Sequence, residues 1–109
     1  MSKQAFEKAH CYLSQKRAEM TAFSDYLAAH PELSQEEYES SRLMAEKLLS
    51  AGFSVEYPYL GLPTAFKAVK ASPACAQKKP VVAIMAEYDA LPEIGHGCGH
   101  NLHGTMALY

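Results

Sequence analysis

Apolar residues recur along the first quarter of the chain at helical spacing. Phe6, Ala9, Leu13, Met20, Phe23 and Leu27 are separated by steps of three, four and seven, which places them on one stripe. Glu7, Lys8, Lys16, Arg17 and Glu19 mostly fall off that stripe. The pattern predicts a helix over residues 3–29. Pro31 disfavours helical geometry at His30, so the helix is expected to end there. A second helix is expected to begin at once, because Ser34 followed by Glu37 makes a capping box. Glu36 and Glu37 also sit where the helix dipole favours negative charge. Its predicted buried stripe is Ser41, Met44, Ala45, Leu48 and Leu49, and Gly52 is placed to end it in a left-handed conformation.

Beyond Gly52 the period shortens. Residues 53–57 alternate apolar and polar, as a half-buried strand does, and residues 64–69 form a second candidate strand. Residues 71–80 hold two prolines and two lysines among small residues and read as an exposed turn. Val81, Val82, Ala83, Ile84, Met85 and Ala86 form a continuous apolar run, which suits a strand buried on both faces. The run ends at Glu87-Tyr88-Asp89, carboxylates at the C-terminal end of a strand, where open α/β sheets place ligands. Residues 102–109 are expected to start a third helix capped by Asn101. The fold class is α/β: two helices, then strands of a mixed sheet, in one domain or part of one.

Composition narrows the function classes. The 109 residues are 49% hydrophobic and 20% charged, with a formal net charge of -2. That describes a globular chain with a modest core. Lys and Arg neither dominate nor cluster, so no nucleic-acid partner is expected. No stretch approaches the roughly 20 apolar residues of a membrane span, and the N-terminus lacks a signal-peptide pattern. A cytoplasmic location is the simplest expectation. Cys11, Cys75 and Cys98 are an odd number at irregular spacing, which favours free thiols over a disulfide framework.

The chemistry concentrates in residues 87–104. Three of the five histidines lie there (His96, His100 and His103), with Cys98 and the carboxylates Glu87 and Asp89. Imidazole and thiolate are the usual ligands of zinc-like ions. In an extended segment Cys98 and His100, two apart, point the same way, and Gly95, Gly97 and Gly99 leave the backbone free to bend around an ion. Two other readings remain open from the residues alone. Cys98 as a nucleophile needs a nearby His as base, and a Gly-rich turn with exposed histidines needs no function at all. The glycine spacing does not match a phosphate-binding loop.

The segment EYDALPEIGHGCGHNLHG resembles the signature of metal-dependent amidohydrolases of the peptidase M20 family. It is most similar to the branch of N-acyl-amino-acid, auxin-conjugate and aminobenzoyl-glutamate hydrolases. His30-Pro31-Glu32-Leu33-Ser34 with Glu37, and Gly61-Leu62-Pro63-Thr64-Ala65, also resemble that branch, so the likeness covers almost the whole chain. It implies the N-terminal part of a zinc-exopeptidase-like catalytic domain over residues 1–109, with the lid or dimerisation domain absent. It implies Cys98 and His100 as metal ligands and Asp89 as the active-site residue that orients the metal centre. The metal is zinc or manganese, as one ion or two. Glu87 stands where relatives outside the branch have a ligating His, and it is not taken as a ligand. His96 and His103 are expected to support the site from behind. Most close relatives have Asp where this chain has Asn101.

The implied reaction is hydrolysis of amide bonds in N-acyl amino acids, aminobenzoyl-glutamate-like compounds or small peptides, by metal-bound water with a glutamate base. That glutamate and the remaining ligands come from chain beyond the CGH segment, so this stretch alone is expected to be an inactive or incomplete fragment of a homodimeric enzyme. The alternative is a non-catalytic metal- or partner-binding protein derived from such an enzyme.

Overall fold

A computed structural model describes residues 2–72 and 80–109. Cys75 and most of the turn predicted over residues 71–80 lie outside the described residues. The order of elements is α1 (Lys3–Ala29), α2 (Tyr38–Ser50), β1 (Ser54–Glu56), β2 (Lys67–Val69) and α3 (His100–Leu108).

Helix α1 takes the predicted span. The Ser2 side chain accepts from the amide of Ala5 at its start, and at its end His30 donates its backbone N–H to the carbonyls of Tyr26 and Leu27. Only the C-terminal half of its apolar stripe is buried. Phe23 and Leu27 enter the core, while Phe6 and Leu13 are exposed.

Helix α2 begins at Tyr38, three residues later than the capping box predicts, and Ser34 does not cap it. The cause is Glu32. Its carboxylate accepts the backbone N–H groups of Glu39 (2.9 Å) and Ser40 (2.7 Å) and the Ser40 hydroxyl. These are the first-turn donors a capping residue normally satisfies. The helix ends as expected at Gly52 (φ 84°): Phe53 N–H reaches Leu48 O and Gly52 N–H reaches Leu49 O, a Schellman pair. Met44 and Ala45 are buried as predicted, but Leu49 is exposed.

Strands β1 and β2 pair antiparallel, Val55 opposite Ala68. Among the described residues this two-stranded sheet replaces the predicted mixed sheet. The apolar run 81–86 takes no strand pairing there, and Val81 (96% exposed) and Val82 (82%) lie in solvent. A continuous apolar pattern signals burial on both faces only where neighbouring strands and covering layers exist. Among the described residues the run has no strand partner, and Val81, Val82, Ile84 and Met85 stay exposed. Where the run ends, Ala86 and Tyr88 pack against the core of Phe23, Leu27 and Met44, and Ala90 bridges in parallel to Leu33.

Candidate active site

Residues 87–90 are fixed from two sides. The amide of Ala90 donates to the Glu32 carbonyl at 2.7 Å, and the Tyr88 hydroxyl donates to the Thr64 carbonyl. Burial, then the charge of Glu37, pushes the Tyr88 phenol up to about 12, so it stays a neutral donor. From the third side comes α3. It begins at His100, after Gly99 in a left-handed conformation (φ 84°), so Asn101 is inside the helix and does not cap it. The Asn101 side chain instead donates to the Ser24 hydroxyl (3.0 Å), tying α3 to α1.

Helical spacing puts His100, His103 and Gly104 on one face. That face lies on residues 87 and 88 so closely that a Cβ at Gly104 would stand 2.9 Å from the Glu87 carbonyl. Glycine is therefore what lets the two histidines reach the carboxylates. His100 Nδ1 is 2.6 Å from Asp89 Oδ1, and His100 Nε2 is 3.1 Å from Glu87 Oε2. Glu87 donates its backbone N–H to His103 Nδ1 (3.2 Å), which puts the proton of a neutral His103 on Nε2. The Asn101 N–H likewise donates to His96 Nδ1 (3.1 Å). His96 Nε2 is buried without a hydrogen bond of good geometry. Burial, then the neighbouring His100, holds the His96 ring below its usual pKa, against an upward pull from Asp89 and the Leu27 carbonyl.

Asp89 and His100, both singled out from the sequence, thus come into direct contact. Cys98 is exposed, in a turn before Gly99, and the segment 98–100 is not the extended stretch that the sequence pattern assumed. Glu87, not taken as a ligand from the sequence, faces His100 directly; its signal in the sequence is its place with Asp89 at the end of the apolar run. A cleft of about 240 Å³ opens beside Glu87, Tyr88 and Asp89, with Glu37, Leu62 and Thr64 on its other walls.

The donor chemistry at His100 fits a divalent ion. A carboxylate on one ring nitrogen leaves the other for the metal, an arrangement that fixes the tautomer and orients the ring. A complete ligand set does not fit: among the described residues, no three His, Cys, Asp or Glu side chains are placed to hold one ion. No described helix is long and apolar enough to cross a membrane.

No family model matches the chain. Individual proteins do. It is 39% identical to one of the subunits of the p-aminobenzoyl-glutamate hydrolase of Escherichia coli, over 84% of this chain and 22% of that protein. It is 40% identical to a mouse Xaa-Arg dipeptidase, over 80% of this chain and 21% of the relative. Thermostable carboxypeptidase 1 of Saccharolobus solfataricus is 37% identical, over 72% of this chain and 23% of its own length. The chain is a relative of M20-like hydrolases. It spans between a fifth and a quarter of the length of these curated relatives.

Proposed function

We propose that the chain is the N-terminal portion of the catalytic domain of a metal-dependent amidohydrolase. Its substrates are N-acyl amino acids, aminobenzoyl-glutamate-like compounds or small peptides. The observation that carries this reading is His100 held by Asp89 at 2.6 Å beside a cleft, in a chain whose relatives are hydrolases with names of that kind. In this reading Cys98 and His100 bind zinc or manganese, and Asp89 orients His100. A bound ion of this class polarises a carbonyl and acidifies water. The active protein is a cytoplasmic homodimer.

Residues 101–109 contain no glutamate to serve as base. The 109 residues by themselves are therefore expected to turn over little substrate. The test is hydrolysis of a panel of N-acyl amino acids and dipeptides by the full-length enzyme, with zinc or manganese added. Replacing Cys98 and His100 together by Ala should abolish turnover. A double variant with normal turnover would show the site to be misassigned.

A second reading, a non-catalytic protein that binds a metal or a partner, draws on the exposure of Val81, Val82, Ile84 and Met85. It predicts a stable, monodisperse chain with no hydrolysis of any amide in the panel by the full-length protein.

A further inference from the structure

We infer that Glu37 makes the cleft selective for substrates that carry an ammonium group; the inference rests on the hydrolase reading and narrows its substrates. Three carboxylates line the cleft, and no Lys, Arg or His side chain does. Two of them, Glu87 and Asp89, face the His100 ring. Glu37 stands on another wall, at the residue before α2. It is the lining carboxylate whose charge no described group answers.

The surroundings of Glu37 leave one of its oxygens open. The residue is only 7% exposed. Its Oε2 accepts from the Thr64 hydroxyl at 2.6 Å, while its Oε1 accepts no hydrogen bond among the described residues. The Tyr88 hydroxyl, the nearest other donor on these walls, spends its proton on the Thr64 carbonyl. Oε1 is not sealed as His96 Nε2 is, so it opens on the cleft that the residue lines. A carboxylate drawn this far from water is costly unless a cation or further donors meet it. A substrate ammonium supplies both, as a compact charge with three donors. A guanidinium gains less, because its paired donors want two free oxygens and Oε2 is taken. A neutral acyl group brings no charge, and an anionic end is repelled. Of the proposed substrates, those with a free amine are therefore favoured.

The test uses the full-length enzyme with zinc or manganese and two matched pairs. One pair is Ala-Ala and N-acetyl-Ala-Ala; the other is Nα-acetyl-lysine and Nα-acetyl-norleucine. Turnover gives kcat/KM, and calorimetry gives binding of the same compounds. In at least one pair the amine is expected to be preferred about tenfold or more, chiefly through KM. The pair that shows it tells a terminal amine from a side-chain amine. Glu37→Gln keeps an acceptor for Thr64 and removes the charge, and it should collapse that preference. If this variant does not fold, Glu37→Asp, which draws the charge back, should lower the same ratio. Hydrolysis with no preference in either pair, or a preference that both variants keep, overturns the inference and leaves the hydrolase reading standing. Binding of the amine that depends on Glu37, with none of the four compounds hydrolysed, keeps the ammonium site and sinks the hydrolase reading. Neither binding nor hydrolysis sinks both.

Discussion

A histidine that meets carboxylates at both ring nitrogens is constrained in orientation, and at His100 the constraint comes from neighbours in sequence. Asp89 and Glu87 alternate along an extended segment, and the ring lies across both. Replacing Asp89 by Ala removes the Nδ1 partner without touching Nε2. The expected outcome is loss of the downfield Nδ1 proton resonance of His100 and a fall in zinc affinity of about 10–100-fold. An unchanged resonance and affinity would mean that Asp89 does not orient the ring. Gly104 sets the distance between the histidines and this segment. A Cβ there would meet the Glu87 carbonyl at 2.9 Å and Tyr88 Cβ at 3.3 Å. Backbone cannot yield as a side-chain tip does, so Gly104→Ala is expected to cost about 1–3 kcal/mol in urea unfolding. A neutral substitution would show that α3 packs more loosely. At this scale the sequence pointed to Asp89 and His100 through residue type and spacing. It marked Glu87 only as a carboxylate at the end of the apolar run, because its contact with the His100 ring depends on how α3 packs onto that segment. The alignment of Cys98 with His100 assumed extended backbone, and the left-handed Gly99 followed by helix removes that assumption.

Periodicity located the elements and misplaced their edges where a long-range group intervened. Helix α1 and the Gly52 terminator depend on local pattern and local backbone chemistry, and both took the expected place. The start of α2 depends on Glu32, seven and eight residues before the amides it accepts, beyond the reach of a capping-box pattern. Glu32→Ala is therefore expected to destabilise the chain by about 1–2 kcal/mol, the usual cost of a lost helix cap. Ser34→Ala should be nearly silent, since Ser34 bonds no amide of α2. Urea midpoints of the two variants decide it: equal losses would restore Ser34 as the cap. The run at residues 81–86 is the opposite case. Its composition fits a buried strand, but burial is supplied by neighbours, and among the described residues it has no strand partner.

Across the whole molecule, one exposed carboxylate joins both long helices to the end of the chain. Glu19 on α1 accepts from Lys16 (2.7 Å), from Lys47 on α2 (2.9 Å) and from the Tyr109 hydroxyl (2.7 Å). Hydrogen bonding from Lys16, then from Tyr109 and Lys47, lowers its pKa from 4.5 to about 2. The sign of the linkage follows. A folded-state pKa below the unfolded one means that the unfolded chain binds the proton first as pH falls. The contribution of Glu19 is therefore complete above pH 4.5 and is lost as pH drops through about 2. Glu39, lowered by its hydrogen bond with Arg42, acts in the same direction but within α2 alone. Glu19→Gln keeps the side chain's shape and removes its titration, so the variant should melt below the unaltered chain at about pH 6 and converge with it near about pH 2. Because the cluster is open to solvent, added salt should narrow the gap at the higher pH. Thermal melts at both pH values, with and without salt, read this directly. A gap that stayed constant with pH would place the role of Glu19 in packing, and the link between α1, α2 and Tyr109 would then not depend on its charge.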